Sequence, residues 1–319
     1  MGKKRKKITV GYHLLYAFAY LHALLPLRVL YLFSDTFYGI IYYLIGYRRK
    51  LVRQNLKNAF PTRSEQEIIR MEKKFYHHLC DYFFETIKLL HISDKEMGKR
   101  MHFENPEIIN RLTQKGSSCL LTLGHYGNWE WVTSIGNYVE RDREHGFIYK
   151  QLHSQAFDRL FYRIRSRFTP VPIEMNNAYR KMIELHRAGK TLAVGFITDQ
   201  RPPGYLEYYW TTFLNQETLV QTGMEKIAAH LGYSVLYLDI VKIKRGYYSG
   251  TFSLITPNAG REPQFTVTER YMRKLEETVL NEPAYYLWSH NRWKFHKRPG
   301  KNDSERNDPE RNDPERNDL

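Results

Sequence analysis

One short stretch constrains the fold more than any other, an apolar run that ends in a turn containing histidine. Residues 120–123 read Leu-Leu-Thr-Leu, and residues 124–130 read Gly-His-Tyr-Gly-Asn-Trp-Glu. A short apolar run bounded by turn residues is typical of a buried strand, which would deliver His125 to its carboxyl end. Asn128 is a suitable N-cap for a helix through about residue 139, with Glu130 in its first turn. The stretch therefore predicts a strand–turn–helix unit with polar side chains at the turn.

Across such a turn, His125 and Glu130 can converge although they lie five residues apart. A carboxylate beside an imidazole fixes its tautomer and stabilises the imidazolium that forms when the ring takes a proton. The stretch lacks the elbow pattern of a Ser, Cys or Thr nucleophile, which favours a base acting on a substrate hydroxyl. The spacing alone equally permits a loop histidine and an ordinary helix-start carboxylate.

A second apolar strand is predicted over residues 191–197, followed closely by Asp199-Gln200. Ligands bind at the carboxyl ends of strands in open α/β sheets, so Asp199 is predicted to position a substrate group or a neighbouring cation. An Asx turn is the alternative interpretation. Between the two strands, residues 157–168 carry four arginines, which form either a phosphate clamp or a solvated face.

The charge of the chain predicts an anionic partner. The net charge is +15, and residues 301–319 hold four basic and seven acidic residues, so residues 1–300 carry +18. Such a surplus is typical of proteins that bind nucleic acid, anionic lipid or an acidic protein. Aromatic residues make up 15% of the chain, a density that suits a membrane interface or a large ligand groove. The two cysteines form neither a disulfide framework nor a metal-binding spacing, so we expect no metal and no cofactor.

Residues 1–47 combine a basic cluster with two apolar segments, residues 8–27 and 29–47. Tyrosines and histidines within both segments make them poor classical spans, and basic residues at both ends give no clear crossing direction. We interpret this region as a membrane anchor, either one span or a shallow interfacial hairpin, with the body on the cytoplasmic face. A pair of amphipathic helices packed on the core is the alternative.

The remaining elements are predicted from periodicity and turn signals. Ser64 and Glu67 form a capping box that begins a long helix, on which Glu85 is expected to be a surface carboxylate, with a functional role as the alternative. Further helices are predicted over residues 178–187, 219–231 and 267–280, and further strands over 147–150, 235–241, 248–255 and the aromatic segment 282–294. In the last segment, His290, Arg292 and Lys294 are expected to face an anionic head group or the interface.

Several motifs together resemble one family. The segment Gly124–Glu130 resembles the His-(four residues)-acid motif of the lysophospholipid acyltransferase superfamily. The ending Pro-x-x-Tyr-x-Trp-x-His-x-Arg-Trp-Lys over residues 283–294, with Asp199-Gln200, resembles its late acyltransferases of lipid A biosynthesis, the lauroyl and myristoyl transferases. The resemblance covers roughly residues 14–297. It implies an α/β fold with a mixed central sheet flanked by helices, the glycerolphosphate-acyltransferase-like arrangement.

The resemblance also implies a reaction. An inner-membrane enzyme of bacteria would transfer a fatty acyl chain from an acyl carrier protein thioester to a hydroxyl of a lipid A precursor. His125 would act as general base held by Glu130, and the backbone amides of Gly127 and Asn128 would face the oxyanion. The expected substrate-binding residues are Asn128, Lys150, Arg165, Arg167, Asp199 and Gln200, with Arg201 as a further phosphate contact. The family usually has Arg where this chain has Lys150.

Three domains and two alternative functions complete the expectation. We predict an anchor over residues 1–47, an acyltransferase domain over 48–298 and a disordered repetitive tail over 299–319. The motif describes proton transfer and not the acceptor, so a lysophospholipid, an aminolipid or a glycolipid remains an alternative acceptor. A basic, membrane-binding protein without chemistry is the second alternative. Since the chain carries no recognisable nucleic-acid module, we expect no nucleic-acid partner.

Overall fold

A seven-stranded mixed sheet runs through the centre of the protein, and a two-stranded antiparallel ribbon lies beside it. The computed structural model describes residues 10–140, 143–169, 171–202 and 208–295. The strands are β1 Met101–Phe103, β2 Cys119–Leu123, β3 Glu144–Tyr149, β4 Val171–Glu174, β5 Leu192–Ile197, β6 Tyr208–Phe213, β7 Gln216–Gln221, β8 Ser234–Lys244 and β9 Tyr247–Thr256. The ribbon consists of β6 and β7.

The order of the large sheet is β1-β9-β8-β2-β5-β3-β4. Only β8 and β9 pair antiparallel, and every other neighbouring pair is parallel. β2 lies in the middle of the sheet, and all five of its residues are buried. Burial on both faces explains why its sequence is a continuous apolar run rather than an alternating one.

Helices cover both faces of this sheet and extend to the N-terminal end of the described chain. They are α1 Val10–Leu24, α2 Leu27–Gly39, α3 Arg49–Ala59, α4 Glu65–Lys88, α5 Asp94–Arg100, α6 Glu107–Leu112, α7 Gln155–Arg165, α8 Ala178–Arg187, α9 Gly223–Leu231 and α10 Thr266–Asn281. A π-helical turn, Ile40–Ile45, continues α2. The predicted class, α/β with a mixed central sheet flanked by helices, is confirmed. The predicted capping box at the start of α4 is also present.

α1 and α2 form a bent pair that packs on the body through one side of each helix. Pro26 separates them, and the bend between the two helical segments is 119°. On the packed side, Tyr31 donates to the Glu85 carboxylate and Ser34 donates to Asp81, both on α4. On the other side, large apolar residues are exposed, namely Val10, Leu14, Phe18, Leu21, Leu32, Phe33, Leu44 and Ile45.

Within the described chain, no single helix combines the length and the apolarity needed to cross a bilayer, although the bent pair meets both criteria when taken together. The anchor therefore stays a prediction. The basic cluster of residues 3–7 and the repetitive tail after residue 298 lie outside the described residues.

Four local predictions need correction. Residues 219–221 belong to strand β7, and the helix starts only at Gly223, because Thr222 ends the ribbon. Residues after Asn128 form a 3₁₀ helix, Trp131–Asn137, rather than an α-helix, although Asn128 does cap it. The aromatic segment from residue 282 is a 3₁₀ turn and a loop, with one isolated bridge between Tyr126 and Tyr286.

The fourth correction concerns Glu85, which is fully buried and does not lie on the surface. It belongs to a charged network inside the protein that joins α2, α4 and the end of the β8–β9 hairpin. Arg245 from that hairpin donates to Asp81 at 2.6 Å and to Asp35 at 2.5 Å. Burial would raise the pKa of Asp81, but hydrogen bonds from His77 and Arg245 and the nearby Lys242 lower it well below the usual value.

Removal of Arg245 should destabilise the protein, because the buried Asp81 carboxylate loses a paired cation. In Arg245→Met, Asp81 stays buried with one cation fewer, so we expect the free energy of unfolding to fall by about 2–4 kcal/mol. Denaturant titration of wild type and variant in the same mild detergent measures the difference. The exposed Arg180 on α8 is the matched control, and Arg180→Met should change stability by less than about 0.5 kcal/mol. Equal effects of the two substitutions would contradict a structural role for the network.

Candidate active site

The parallel pairing of β2 with β5 brings two polar side chains together at the carboxyl end of the sheet. Leu123 lies opposite Ile197 in the register. His125 and Asp199 each follow two residues after these partners, so the chain geometry places them side by side. This arrangement is the one expected for functional residues in a parallel sheet, where successive strands end at one edge.

His125 and Asp199 make two hydrogen bonds. The imidazole Nδ1 lies 2.6 Å from Asp199 Oδ1, and the backbone N–H of His125 donates to Asp199 Oδ2 at 2.9 Å. The carboxylate therefore holds both the ring and the main chain of the histidine. Glu130 was predicted to hold His125, but the carboxylate bonded to His125 Nδ1 is that of Asp199. Asp199, which we expected to bind substrate, is the direct partner of the imidazole.

Asp199 is buried, yet its environment favours the ionised form. Burial would raise the pKa of its carboxyl group, but the attraction of His125 and the two hydrogen bonds from this residue lower the pKa below its usual value. Arg292 contributes in the same direction. An ionised Asp199 can only accept hydrogen bonds, which fixes the proton of the neutral imidazole on Nδ1 and leaves Nε2 with its lone pair.

The free nitrogen of His125 faces Gln200 and a tryptophan. The amide Nε2 of Gln200 lies 3.2 Å from His125 Nε2, a donor distance for the tautomer set by Asp199. The Trp129 ring stands edge-on to the imidazole at 5.2 Å between ring centroids, and it stacks on Tyr82 at 4.0 Å. These contacts leave the imidazole side chain 18% exposed, so the ring is shielded but accessible.

Glu130 is paired with Arg165 on α7. Arg165 Nε donates to one carboxylate oxygen at 2.8 Å, and Nη2 donates to the other at 2.5 Å. The Glu130 side chain is 2% exposed, and Arg165 is 23% exposed. A bidentate pair of this kind fixes both side chains and keeps the guanidinium ionised. Arg165 was predicted as a phosphate contact, and its Nε and Nη2 are already committed to Glu130.

The loop between His125 and Glu130 is held by the C-terminal segment. The backbone N–H of Gly127 donates to Tyr285 O at 3.0 Å, and the N–H of Leu287 donates to His125 O at 3.1 Å. Gly127 has a φ of +58°, and a Cβ atom there would come within 2.9 Å of Ile240. Because the Gly127 amide is already bonded, it cannot serve as the oxyanion donor that we predicted.

A cavity of about 390 Å³ opens beside His125. On one face of the sheet, alternate residues of β2 and β5 line it, and Ala193 and Gly195 leave room there because their side chains are small or absent. The apolar part of the lining includes Leu121, Leu123, Val132, Ile135, Val139, Phe147, Ile148 and Ile197. The cavity extends along the sheet as far as His145, which pairs with Ala193 on β5. Ala193 lies four residues before Ile197, so the distance between these two positions along the strand is about 13 Å.

The predicted cationic and polar residues fall into two groups. Lys150, Arg165, Gln200 and Arg201 line the cavity together with Glu130. Arg167 does not line it, because its guanidinium donates to Leu89 O at 2.7 Å and lies 3.8 Å from Asp94. Asn128 belongs to the loop itself, and its buried side-chain amide donates to Glu85.

The predicted head-group face of the C-terminal segment also needs correction. Arg292 is buried rather than turned towards an interface, and all three of its guanidinium nitrogens lack a hydrogen-bond partner among the described residues. Burial lowers the pKa of this group and that of His290, the latter to about 3. The segment packs on the core through its large aromatic residues, of which Tyr286, Trp288 and Trp293 are buried.

One group in the described chain has the composition of a metal site. Ligand atoms of Asp35, His77 and Asp81 lie within 4.8 Å of one another. Arg245 donates to both carboxylates, so a cation already balances this group. The group belongs to the α2–α4 network, so we assign it a structural role.

Two pairings were missed from the sequence, Asp199 with His125 and Arg165 with Glu130. The signal for the first was present, since both residues follow predicted strands at equal spacing, and only the pairing of these two strands was unknown. The second depends on how α7 crosses the sheet, for which the sequence carries no local signal.

The site thus combines an imidazole–carboxylate pair at the strand ends of a mixed α/β sheet with an adjoining cavity that is largely apolar. The chain belongs to the family of bacterial lipid A biosynthesis acyltransferases, whose family model matches residues 2–295. The resemblance inferred from the motifs is thereby confirmed. A comparison with curated proteins gives no match. Membership in the family supports acyltransferase activity and a lipid acceptor.

The two carboxylates of the site should be energetically separate. In a double-mutant cycle on the free energy of unfolding, E130Q and R165M should show a coupling of about 1–3 kcal/mol, because these residues share two hydrogen bonds. The pair E130Q and D199N should be additive within about 0.5 kcal/mol, because the two residues share no bond. Strong coupling between positions 130 and 199, with none between 130 and 165, would contradict the described pairings.

Proposed function

We propose that the protein transfers a fatty acyl chain from an acyl carrier protein thioester to a hydroxyl of a lipid A precursor, with His125 as general base and Asp199 as the residue that orients it. The observation that carries this proposal is the 2.6 Å contact of Asp199 with Nδ1, which leaves Nε2 facing the cavity side of the site. A base with one nitrogen fixed and the other free is suited to abstract a proton from a hydroxyl.

In the proposed reaction, the acceptor hydroxyl displaces Gln200 from His125 Nε2 and loses its proton to that nitrogen while its oxygen attacks the thioester carbonyl. An ester C–O bond forms, the C–S bond breaks, and the proton passes from the imidazolium to the leaving thiolate. Asp199 stabilises the imidazolium that exists between these two proton transfers. Gln200 Nε2, 3.2 Å from His125 Nε2 at rest, is our candidate donor to the tetrahedral oxyanion.

Glu130 acts, in this proposal, through Arg165 and not through His125. The carboxylate holds the guanidinium at the wall of the cavity, and the remaining Nη1 of Arg165 is available to an anionic group. Lys150 and Arg201 line the same cavity, so three cations border the site. Arg and Lys are the residues that bind phosphates, and the precursor's phosphates are their proposed ligands.

The acyl chain is proposed to occupy the apolar cavity that lies against one face of β2, β5 and β3. Its lining offers the continuous apolar surface that a fatty chain requires, and burial of each methylene contributes about 0.8 kcal/mol. The excess charge of +18 on residues 1–300 suits an acidic carrier protein as the donor.

The proposed location is the inner membrane, with the body on the cytoplasmic side, and the exposed apolar face of α1 and α2 supports contact with a membrane. Leu14, Phe18, Leu32 and Leu44 are each more than 60% exposed, a cost in water that contact with lipid removes. The buried polar contacts of α2 with α4 favour a hairpin lying in the interface over a transmembrane crossing.

Substitution of His125 should remove the base without changing the fold. With purified protein, carrier-bound acyl donor and lipid A precursor, H125A should lower kcat/KM by about 10²–10⁴-fold, and D199N should fall in the same range because the tautomer is lost. Mass spectrometry of the acylated product measures the rate.

His102 on β1 is the control, and H102A should retain activity because the side chain of this residue is exposed and does not line the cavity. If the wild-type protein acylates a lysophospholipid or aminolipid and not the lipid A precursor, the proposed acceptor is wrong and the chemistry stands. If the wild type transfers no acyl chain from carrier or CoA donors to any of these lipids, the proposed function is wrong.

Filling the cavity at Gly195 should change the length of the chain transferred. A Cβ atom there would meet only ordinary contacts, at 3.7 Å from Gly146 O and 3.9 Å from Phe147 Cβ, so the first atom of a side chain fits at the wall of the cavity. In G195V, the preference for shorter over longer acyl donors should rise by about tenfold or more, because a misfit methylene costs roughly 1–3 kcal/mol. Competition between donors of different length measures this ratio.

Gly223 at the start of α9 is the matched control, since a Cβ atom there meets nothing and the residue does not line the cavity. G223V should leave the donor preference unchanged. An unchanged preference in active G195V would show that the acyl chain lies elsewhere.

A further inference from the structure

The Glu85 carboxylate lies directly beneath the loop that carries His125. The residue is fully buried near the end of α4, and its carboxylate accepts three hydrogen bonds. Asn128 Nδ2 donates to Oε2 at 2.7 Å, Tyr248 OH donates to Oε2 at 2.8 Å, and Tyr31 OH donates to Oε1 at 2.8 Å. Three donors from three separate elements thus fix one carboxylate in a single orientation.

Asn128 uses both ends of its amide to link Glu85 to the loop. Its Nδ2 binds Glu85, and its Oδ1 accepts the backbone N–H of Trp131 at 3.1 Å. Asn128 stands between His125 and Glu130 in the sequence, and the neighbouring Trp129 contacts the imidazole. A shift of Asn128 would therefore move Trp129 and the loop that carries His125.

α4 makes two more contacts with the same loop. The main-chain O of Glu85 accepts the Trp131 indole N–H at 2.9 Å, and the His78 ring Nε2 donates to Gly127 O at 3.1 Å. His78 Nδ1 accepts from Lys242 at 3.1 Å, which assigns the proton to Nε2. The underside of the loop is thus fixed to one helix, while Asp199 fixes its upper side.

A carboxylate is expensive at a buried site, which makes its presence informative. Burial raises the pKa of Glu85, whereas the charge of Lys242 and the hydrogen bonds from Tyr31 and Tyr248 favour its ionised form. An apolar side chain of similar size would avoid the desolvation cost but would leave Asn128 Nδ2 unpaired. The hydrogen bond to Asn128 in the loop therefore accounts for a carboxylate at this buried position.

We propose that Glu85 is a positioning residue for catalysis, which sets the position of His125 through its hydrogen bond to Asn128. This inference rests on the proposed function of His125 as the base. Glu85 touches no part of the cavity and acts only through the loop.

Reversing the polarity of this hydrogen bond tests the proposal. N128D turns a donor into an acceptor and sets two carboxylates against each other, so kcat should fall by about 10²-fold, the loss typical of a misplaced catalytic group. KM should change less, because the cavity is untouched. E85Q alone should stay within about tenfold of wild type, since its new amide nitrogen can turn to Tyr31 and leave the oxygen facing Asn128.

The double variant E85Q/N128D should recover activity to within about tenfold of wild type. The new amide at position 85 can donate to the aspartate at position 128, whose other oxygen still accepts from Trp131. The net charge of the pair is also unchanged. N128A provides a second comparison, because E85Q should not rescue a variant that lacks the partner atom.

Glu72 is the matched control for position 85. It is a fully buried carboxylate on the same helix, bonded to Tyr42 at 2.8 Å and to Arg53 at 2.7 Å, and it makes no contact with the loop. E72Q/N128D should remain as inactive as N128D. Equal rescue by E72Q, or no rescue by E85Q in a folded double variant, would overturn the proposal.

The ¹⁵N signals of the His125 ring provide a readout that does not need turnover. They should shift in N128D and return in E85Q/N128D if the loop is displaced and restored. A wild-type protein without acyl transfer would defeat the proposed function, while these signals would still decide whether Glu85 positions the loop. Unshifted His125 signals in a folded N128D protein would contradict the positioning role.

Discussion

The contact between His125 and Asp199 is the constraint on which the rest of the site depends. It exists because β2 and β5 are parallel neighbours in register, which brings the residues after Leu123 and Ile197 together. Asp199 binds both the ring and the backbone of His125, so the strand ends and the loop form one unit. The cavity follows from the same pairing, since alternate residues of these two strands form part of its lining.

Buried charge supports this unit from below and from the side. Glu85 and Asp81 on α4 hold the loop and the α1–α2 pair, and Arg165 on α7 holds Glu130. Such groups are costly to bury unless they are paired, and each of these is bonded to donors from other elements. Loss of one hydrogen-bond partner in this network would leave a buried charge unpaired. Arrangements of the loop in which only some of these bonds are formed are therefore unfavourable.

The sequence allowed the sheet, its class and its family to be predicted, because those depend on local patterns. The apolar run of β2, the capping box of α4 and the motif at residues 124–130 are each read within a few residues. The partners of His125 and Glu130 depend on which strands and helices are adjacent, which no local pattern specifies. Asp199 was predicted as a site residue from its position after a strand. Its pairing with His125 could be recognised only from the register of β2 with β5.

Burial was the other quantity that local pattern misjudged. Glu85 lies on a helix with a broad apolar stripe, and a carboxylate beside such a stripe is usually at the surface. The tyrosines that make burial possible come from α2 and β9, far away in sequence. Arg292 was misjudged for the same reason, since its aromatic neighbours cover it. Partners distant in the chain thus decide whether a charged side chain lies inside.

The organisation of the site depends on Asp199, and not Glu130, holding His125. The most direct measurement is ¹⁵N NMR of histidine-labelled protein, with the His125 signals assigned by their loss in H125A. We predict that neutral His125 carries its proton on Nδ1, that D199N shifts the tautomer, and that E130Q leaves it unchanged. A tautomer that changes in E130Q and persists in D199N would contradict the assignment of Asp199 as the partner of His125.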